Sequence, residues 1–465
     1  MIEPSFTAEE LAAATGGRFL GAAPASVTGV STDTRKIAPG ALFVALKGER
    51  FDAHDFVAQA LAAGAAAAVV AEPWAAAQTS LPGAVLAVPD PLAALGAIAR
   101  FHRRRFAIPL VGVTGSVGKT STREMIGAIL RRRGPALKTE GNLNNEVGVP
   151  LTLLGLQPEH WAGVVEMGMN HAGEIARLTA IAEPKVGVVT VAGVAHIENL
   201  GGRDQIANAK AELYQGLPPG GIVVANADDA RMIKRAQAAG RPTITFAVGR
   251  GRRGDVVALE ILEHDADGLR FLLGIGNREL EAWVGIPGEH NAMNAAAAAA
   301  AAIALGCSDR EIVDGLADVR PVGRRMRVAR LASGVTLLDD CYNANPQSMS
   351  AALGTLAELA RAQGGRAVAA LGDMLELGAE SEAMHRAVGE EAVRRGVAAL
   401  ALFGPCSRAA AEAARTAGLP AQDLFHTEDV AALVSFVRGA LRPGDVLLVK
   451  GSRGMQLERL VEALP

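Results

Sequence analysis

The chain has 465 residues, of which half are hydrophobic but only 4% are aromatic, and its formal net charge at pH 7 is −3. A chain of this length holds two to four domains, each large enough for its own hydrophobic core. The charge balance excludes a strongly basic surface of the kind that binds nucleic acid. The three cysteines, Cys307, Cys341 and Cys406, are too far apart for zinc or disulfide spacing, which is typical of a reducing cytosol.

The N-terminus does not resemble an export signal. Its first ten residues are acidic, whereas a signal peptide begins basic and then becomes apolar. The most apolar stretch, residues 58–77, is mostly alanine and is interrupted by Pro73, so it is too weakly hydrophobic to span a bilayer. We therefore expect a cytoplasmic protein with no membrane-inserted segment.

Residues 1–105 predict a small N-terminal α/β domain. Thr7, with Glu10 three residues later, predicts a capping box before a helix over residues 8–15. Pro91 opens another helix, which is expected to end near residue 105. Three apolar runs predict the strands: residues 41–46, 67–70 and 85–88.

A phosphate-binding loop begins the next segment. Residues 108–113 predict a buried strand, residues 115–118 a glycine-rich turn, and Lys119 the start of a helix. The backbone N–H groups of such a loop and the helix dipole favour phosphate, Lys119 can reach the β- and γ-phosphates, and Thr120 can ligate Mg²⁺. Val113 stands where the strict Walker pattern has its first glycine, so the motif is a variant. The chain is therefore predicted to bind ATP or GTP. The candidate contacts are Gly115, Ser116, Val117, Gly118, Lys119, Thr120 and Ser121.

The remaining chain alternates strands with helices, which predicts mostly parallel sheets covered on both faces. We expect a central domain over residues 106–325, with a more antiparallel patch over residues 256–284. Eight consecutive alanines, residues 295–302, predict a tightly packed helix. Residues 326–465 predict a C-terminal, Rossmann-like α/β domain. The predicted fold class is therefore α/β in three domains.

Polar residues follow several predicted strands, where parallel sheets bind ligands. Glu166 suits a carboxylate that completes a Mg²⁺ shell, although a solvated or capping glutamate would have the same local sequence. His196 could be a metal ligand, a phosphate contact or a packed histidine. Lys210 lies on a helix whose apolar positions suggest partial burial, which would lower its pKa and make it reactive, but a surface lysine is the default alternative.

Two more clusters have both a binding and a structural interpretation. His290, Asn291 and Asn294 could hold a purine or ribose, or cap the alanine helix. Residues 339–345 follow a strand and could hold a ribose hydroxyl and a polar substrate, or form an Asx-rich turn before Pro346. Their polar members are Asp339, Tyr342, Asn343 and Asn345.

Several segments together resemble the Mur ligase family of ATP-dependent amide-bond-forming enzymes, over nearly the whole chain. They are residues 114–124 (TGSVGKTSTRE), 141–146 (GNLNNE), 166–170 (EMGMN), 340–346 (DCYNANP) and 371–374 (LGDM). Residues 342–346 and 372–378 resemble the branch that adds a dipeptide. The sister branch that adds the third amino acid typically has an Asp-Asn-Pro-Arg type signature, which is absent here.

The resemblance implies roles by position. Lys119 and Thr120 would hold the ATP phosphates and Mg²⁺, with Glu166 and His196 as metal contacts. Lys210 resembles the lysine that this family carbamylates to bind a second Mg²⁺. The implied catalytic residues are Lys119, Glu166, His196 and Lys210, and the implied metal contacts are Thr120, Glu166, His196 and Lys210.

The other implied contacts concern the substrates. Those for adenosine are His290, Asn291, Asn294, Arg324 and Asp339. Those for the uridine diphosphate moiety are Ser31, Thr32, Asp33, Arg35, Lys47 and the loop of residues 51–54, with Asp52 and His54. Those for the nucleotide-linked substrate are Asn142, Asn144 and Asn145. Those for the incoming dipeptide and the reacting centre are Asn343, Asn345 and Arg453.

The implied reaction joins D-Ala-D-Ala to UDP-MurNAc-tripeptide in the synthesis of a peptidoglycan precursor. A peptide carboxylate attacks the ATP γ-phosphate, two Mg²⁺ ions and Lys119 offset the charge, and the dipeptide amine then displaces phosphate from the acyl phosphate. Because an acyl phosphate hydrolyses readily, water must be excluded, and a swing of the third domain about residues 322–325 would close the site. We expect a monomer with no nucleic-acid partner.

Other functions remain compatible with parts of the sequence. A sister ligase could add a different amino acid. A folylpolyglutamate-type synthetase generally lacks an N-terminal uridine-nucleotide domain of this kind. A phosphate-loop switch or motor ATPase would turn over ATP without a carboxylate substrate. A non-catalytic nucleotide-binding scaffold would not need Lys119, Thr120 and Glu166 together.

Overall fold

The computed structural model describes residues 3–48, 51–193, 197–251 and 254–464. It has three α/β units in chain order, as predicted, and each is built on its own sheet. No helix in these ranges is both long and apolar enough to cross a membrane. His196, a predicted metal contact, lies outside the described residues.

The N-terminal unit has short strands and short helices. The strands are β1 (Ser5–Thr7), β2 (Arg18–Leu20), β3 (Ser26–Thr28), β4 (Val30–Ser31), β5 (Leu42–Val44), β6 (Ala67–Ala71) and β7 (Val85–Val88). The helices are α1 (Ala8–Thr15), α2 (Val57–Ala62), α3 (Glu72–Ala76) and α4 (Pro91–Arg103). The sheet order is β2-β7-β6-β5-β4, with only β2 running antiparallel among its described strands. The predicted capping box of Thr7 and Glu10 is confirmed.

The central unit carries a long, mostly parallel sheet. Its strands are β8 (Leu110–Thr114), β9 (Ala136–Lys138), β10 (Ala162–Glu166), β11 (Val186–Val189), β12 (Ile222–Asn226), β13 (Thr243–Val248), β14 (Val256–His264), β15 (Leu269–Ile275) and β16 (Arg278–Val284). Its helices are α5 (Lys119–Arg131), α6 (Gly148–Leu154), α7 (Glu174–Ala182), α8 (Ile197–Leu200), α9 (Arg203–Gln215), α10 (Ala230–Ala238), α11 (His290–Ala304) and α12 (Asp309–Ala317).

The order of this sheet is β16-β15-β14-β13-β12-β11-β8-β10-β9. The strands from β9 to β14 are parallel, and β14 to β16 form the antiparallel patch predicted over residues 256–284. The phosphate-loop strand β8 lies between β10 and β11, so the polar ends of these neighbours meet at one edge. The alanine helix α11 packs against α5, β13 and β14. Its eight alanines are fully buried, since a side chain of one carbon lets the helix approach closely, which confirms the prediction.

The C-terminal unit is a second doubly wound sheet. Its strands are β17 (Arg327–Arg330), β18 (Thr336–Asp339), β19 (Ala367–Gly372), β20 (Val397–Phe403), β21 (Leu424–Thr427) and β22 (Val446–Lys450). Its helices are α13 (Pro346–Gln363), α14 (Ser381–Arg394), α15 (Arg408–Thr416), α16 (Val430–Ala440) and α17 (Glu458–Ala463). The order is β17-β18-β22-β19-β20-β21, parallel except for the edge strand β17.

Two junctions connect the units. At the first, α4 packs on α6 and α7 of the central unit, and Arg103 donates to the Ala182 carbonyl at 3.1 Å. At the second, Gly323 and Met326 both have positive φ, +64° and +51°. A methionine in this region is strained, which is typical of a short segment whose conformation the surrounding structure imposes. The domain limits at residues 105 and 325 stay predictions.

Candidate active site

The phosphate loop joins the end of β8 to the start of α5 and depends on two glycines. Gly115 has φ of +154°, and a Cβ there would lie 1.9 Å from Thr190 Oγ1. Gly118 has φ of +82°, and a Cβ there would lie 2.3 Å from Asn294 Oδ1. Because any larger residue would be strained and would collide, both positions require glycine. Helix α5 begins at Lys119, immediately after Gly118.

Lys119 is half-buried and lies over this loop. Its Nζ donates to the Gly115 carbonyl at 2.6 Å. Burial lowers the pKa of Lys119, the Glu166 carboxylate acts in the opposite direction, and the positive charge of Arg325 lowers the pKa further. A cation above a ring of backbone N–H groups is suited to the phosphates of a nucleotide.

Glu166 ends β10, beside the loop, and is 1% exposed. Its carboxylate accepts hydrogen bonds from Thr120 Oγ1 at 3.0 Å and from Asn144 Nδ2 at 2.8 Å. It also pairs with the guanidinium of Arg123 at 3.1 Å. The structure therefore brings together the predicted residues Thr120, Glu166 and Asn144, which belong to a helix, a strand and a loop.

Lys210 lies on α9 and is 1% exposed, so the surface interpretation of this lysine is wrong. Among the described residues it makes no hydrogen bond or ion pair, and it lines the same cleft as Lys119. Burial holds the pKa of Lys210 well below its ordinary value, and the positive charge of Lys119 adds to this effect. Such an amine is easily kept neutral and nucleophilic.

The cleft that these residues line has a volume of about 440 Å³ and lies between the central and C-terminal units. Its walls come from the phosphate loop, from the loop that follows β9, and from the residues that follow β18. The predicted site residues that line it are Ser116, Val117, Gly118, Lys119, Thr120, Ser121, Asn142, Asn144, Asn145, Glu166, Lys210, His290, Asn291, Asn294, Asn343 and Asn345.

The two asparagines of α11 bond to each other and to the turn that precedes the helix. Asn291 Nδ2 donates to the Pro287 carbonyl at 2.9 Å, and Asn294 Nδ2 donates to Asn291 Oδ1, also at 2.9 Å. Both are buried and line the cleft, while the N-cap position of α11 is Glu289, so Asn291 is not the predicted cap. His290 also lines the cleft, and burial lowers its pKa to about 4, which keeps the imidazole neutral at physiological pH.

Two predicted adenosine contacts form a pair at the edge of the C-terminal unit. Arg324 donates to Asp339 at 2.9 Å, and neither belongs to the described lining of the cleft. The next residue in each case lines it: Arg325, whose guanidinium lies 3.8 Å from the centre of the Tyr342 ring, and Asp340. The predictions for Arg324 and Asp339 stay untested, and the structure places their neighbours in the lining of the cleft.

The C-terminal wall of the cleft contains a buried ion pair. Lys450 Nζ donates to Asp340 at 2.6 Å and to the Asn343 carbonyl at 2.9 Å. Asn345 lines the cleft and also caps α13, because its Oδ1 accepts from the Ser348 N–H at 2.9 Å. Arg453 is exposed, pairs with Glu458 at 2.8 Å and lies outside the described lining of the cleft.

The predicted uridine diphosphate contacts lie in the N-terminal unit, away from this lining. Asp33 pairs with Arg35 at 2.8 Å, and the guanidinium lowers the pKa of this carboxyl to about 2. The His54 imidazole pairs through Nδ1 with Asp52 at 2.6 Å and accepts the Ala71 N–H through Nε2. His54 is buried, so it acts as a support for its loop. The other members of this set are Ser31, Thr32 and Lys47, which is 4.0 Å from Asp52.

Three family models match consecutive parts of the chain. They are the Mur ligase family, catalytic domain, at residues 26–103, the Mur ligase middle domain at residues 113–302, and the Mur ligase, glutamate ligase domain, at residues 324–453. A UDP-N-acetylmuramoyl-tripeptide–D-alanyl-D-alanine ligase from Escherichia coli is 39% identical over 99% of this chain and 98% of its own length. The corresponding enzyme from Bacillus subtilis is 36% identical over 94% and 93%. The chain belongs to the Mur ligase family.

Solved structures of Mur ligases agree with this assignment. A crystal structure of MurF from Acinetobacter baumannii superposes with a TM-score of 0.90, at 35% identity over 99% of both chains. MurF ligase from Thermotoga maritima, in complex with ADP, superposes with a TM-score of 0.82, at 28% identity over 93% of this chain and 96% of the other. The predicted family and three-domain α/β fold are therefore confirmed.

The donor set of this Mur ligase fits a magnesium ion that is held mainly by a nucleotide. Within the described ranges, no three His, Cys, Asp or Glu side chains are grouped closely enough to hold a metal on their own. Mg²⁺ typically keeps several waters and is bound through one or two carboxylates plus substrate phosphates. The Glu166 carboxylate and the Thr120 hydroxyl, beside the phosphate loop, match that pattern.

Sequence reasoning missed four charged residues of the site. Arg123 and Lys450 are nearly fully buried, and Lys450, Arg325 and Asp340 line the cleft. For Lys450 a signal existed, since it ends a strand of the C-terminal sheet, where ligands bind. For Arg123 there was none, because an arginine on a helix next to a glutamate has the pattern of a solvated surface.

Proposed function

We propose that this chain is the ATP-dependent ligase that joins D-alanyl-D-alanine to UDP-N-acetylmuramoyl-tripeptide, giving the pentapeptide precursor of peptidoglycan, ADP and phosphate. The names of its relatives, matched over nearly the full length, support this activity. The observation that carries the proposal is the convergence of Lys119, Glu166 and Lys210, which has no partner among the described residues, in one cleft between two units.

The phosphate loop and Lys119 would bind the β- and γ-phosphates of ATP. In the proposed first step, a carboxylate oxygen of the tripeptide attacks the γ-phosphorus, the bond to the bridging oxygen breaks, and ADP leaves. The reaction needs positive charge around the transferred phosphoryl group, since its transition state spreads negative charge over three oxygens. Lys119 and Arg325 supply two fixed cations on the same cleft.

Thr120 and Glu166 would hold Mg²⁺ together with the nucleotide, and His196 is the further predicted contact. When bound, the metal neutralises phosphate charge and orients the γ-phosphate. Thr120 Oγ1 and both Glu166 oxygens are already held within 3.2 Å of each other, so the protein oxygens are arranged in advance.

Lys210 would act as a carbamate. A neutral amine attacks CO₂ and loses a proton, which converts a buried cation into a carboxylate. The lowered pKa of Lys210 increases the neutral fraction, and the lack of a hydrogen-bond partner among the described residues leaves its nitrogen accessible to this chemistry. The new anion would lie close to Lys119 and would offset its charge, so the modification relieves the unfavourable interaction of a buried cation with a half-buried one.

The second proposed step forms the amide. The free amine of D-Ala-D-Ala attacks the carbonyl carbon of the acyl phosphate, the carbon–oxygen bond to phosphate breaks, and the amine loses its proton. The asparagines of residues 142–145 would face the nucleotide-linked substrate, and Asn343, Asn345 and Arg453 would face the dipeptide. A swing of the C-terminal unit at the strained junction around Met326 would exclude water while the acyl phosphate exists.

The proposal includes a cytoplasmic location, which the three free thiols support. It also includes a monomer, which sedimentation of the purified protein tests directly.

The deciding experiment measures phosphate release from ATP with UDP-MurNAc-tripeptide and Mg²⁺, in the presence and absence of D-Ala-D-Ala, together with the mass of the product. Release that requires both substrates, with a UDP-MurNAc-pentapeptide product, establishes the ligase. Acceptors with lysine or meso-diaminopimelate as the third residue identify the natural one by their kcat/KM. Release with neither substrate indicates an ATPase switch, and release only with another amino acid indicates a sister ligase.

A further inference from the structure

Arg123 has the largest side chain among the fully buried residues that the structure describes, and the mechanism above does not use it. It lies on α5, one helical turn beyond Thr120, and none of its surface is exposed. A guanidinium cannot lose its charge in a protein, so its burial requires anionic or strongly polar partners.

The partners of Arg123 belong to three different parts of the site. Its Nη1 donates to Glu166 Oε2 at 3.1 Å and to the Gly141 carbonyl at 2.9 Å. Its Nη2 donates to Glu124, whose other carboxylate oxygen accepts from Lys138 Nζ at 2.7 Å. Two cations and two anions therefore alternate in one largely buried chain, whose outer lysine also lies 3.8 Å from the exposed Glu140.

The contact with Gly141 reaches the loop that carries the cleft asparagines. Gly141 has φ of +56°, which favours glycine, while a Cβ there would meet nothing within 4 Å. The carbonyl is thus held by backbone conformation on one side and by Arg123 on the other. One rigid side chain fixes both the carboxylate of Glu166 and the start of the loop that presents Asn142, Asn144 and Asn145 to the cleft.

We infer that Arg123 is a positioning residue, which couples the cation-binding carboxylate of Glu166 to the asparagine loop of residues 141–145. This inference rests on the proposed function. The planar fork of arginine serves both targets at once, whereas a lysine at this position has one point charge and cannot hold two acceptors in fixed directions. Loss of the guanidinium should therefore raise the Mg²⁺ concentration that the reaction requires and weaken the binding of UDP-MurNAc-tripeptide. Nucleotide binding without metal should be retained.

The test compares Arg123→Lys with Lys138→Met, which breaks the outer end of the same ion chain without touching Glu166. For Arg123→Lys we expect the Mg²⁺ concentration at half-maximal rate to increase about 10-fold or more, as for other residues that support a metal ligand. The KM for UDP-MurNAc-tripeptide should increase and that for D-Ala-D-Ala should not. Lys138→Met should lower the melting temperature and leave the Mg²⁺ dependence unchanged.

Calorimetric titration of ADP gives a readout that does not depend on turnover. The affinity of Arg123→Lys for ADP in EDTA should match that of the wild type. The increase in ADP affinity on adding Mg²⁺ should be smaller for the variant than for the wild type. A folded Arg123→Lys variant with wild-type Mg²⁺ dependence in both assays would overturn the inference and leave Arg123 as a purely structural residue.

If Arg123→Lys does not fold, Glu124→Gln decides instead, since it keeps the arginine but removes the charge that holds Nη2. A raised Mg²⁺ requirement supports the coupling, and an unchanged one overturns it. Failure of the wild type to form pentapeptide would reject the proposed function, whereas the ADP and Mg²⁺ titrations would still test the role of Arg123.

Discussion

The central cleft and the N-terminal unit differ in the burial and pairing of their cations. In the cleft, Lys210 is buried without a described partner, and it lies close enough to Lys119 for the two charges to oppose each other. In the N-terminal unit, the cations predicted to hold the nucleotide-linked substrate lie at the surface. Arg35, with 86% of its side chain exposed, already pairs with Asp33, and Lys47, at 77%, is within 4.0 Å of Asp52.

The two arrangements have different costs. A buried cation without a partner destabilises the folded protein, so it is typical of a site where the charge or the amine is needed. Exposed ion pairs contribute little to stability and are easily rearranged when a ligand binds. We infer that the chemistry depends on the cleft, and that the N-terminal unit contributes to affinity.

The largest effect is expected at the phosphate loop. Lys119→Met removes the cation that we propose contacts the transferred phosphoryl group, and we expect kcat to fall by about 10²- to 10³-fold or more, since one preorganised charge contributes this much to a charged transition state. Phosphate release under saturating substrates measures it, with circular dichroism as the control for folding. A decrease of less than 10-fold would show that Lys119 does not contact the reacting phosphate.

Lys210→Met should separate activity from stability. Activity should be lost with the carbamate. Because a buried cation without a described partner is removed, we expect the melting temperature to rise by about 2–4 °C, the shift that 1 kcal/mol produces in a domain of 150–250 residues. Lys234→Met, at an exposed position of α10, is the matched control and should change neither property.

The pH dependence of this effect has a definite sign. The folded pKa of Lys210 is lower than its unfolded value, so the unfolded chain binds more protons between the two, and wild-type stability rises with pH in that interval. The difference in melting temperature between Lys210→Met and the wild type should therefore decrease as the pH approaches 10 in bicarbonate-free buffer. A difference in melting temperature that is constant with pH would mean that the charge of Lys210 is the same in the folded and unfolded states.

The two arginines of the second junction provide a matched pair of substitutions. Arg325→Ala removes a guanidinium from the cleft, and we expect kcat/KM for ATP to fall by about 10²-fold, as for a charged group at a phosphate site. Arg324→Ala breaks the pair with Asp339 outside the described lining and should lower kcat/KM less than 10-fold. An equal or larger decrease in kcat/KM for Arg324→Ala would support the predicted adenosine contact at Arg324.

These arginines also show where sequence reasoning reaches its limit. The phosphate loop, Glu166 and the alanine helix were predictable, because each depends on a local pattern of strand, turn and helix. Which of two adjacent residues faces the cleft depends on the positive φ at Gly323 and Met326, and the composition of the segment does not indicate this. The edge strands β9, β17 and β21 could not be predicted for a similar reason, since three or four residues carry too little periodicity.

Burial was harder to predict than the position of a motif. Lys210 could be placed on a helix, but its complete burial follows from packing between helices and strands that are distant in sequence. The partners of Arg123 are separated from it by up to 43 residues, so no local pattern reveals that the arginine is internal.

The smallest effect is expected in the N-terminal unit. Arg35→Ala should raise the KM for UDP-MurNAc-tripeptide about fivefold, with kcat unchanged, because a charge at the rim of a binding surface acts mainly on association. Arg18→Ala, another exposed arginine of the same unit, is the control. Because Arg35 holds the pKa of Asp33 at about 2, this pair stays ionised from pH 5 to pH 9, and the ratio of the two KM values should be constant over that range. A decrease in kcat for Arg35→Ala would contradict the division between the two regions, since an exposed side chain far from the cleft would then act on the chemical step.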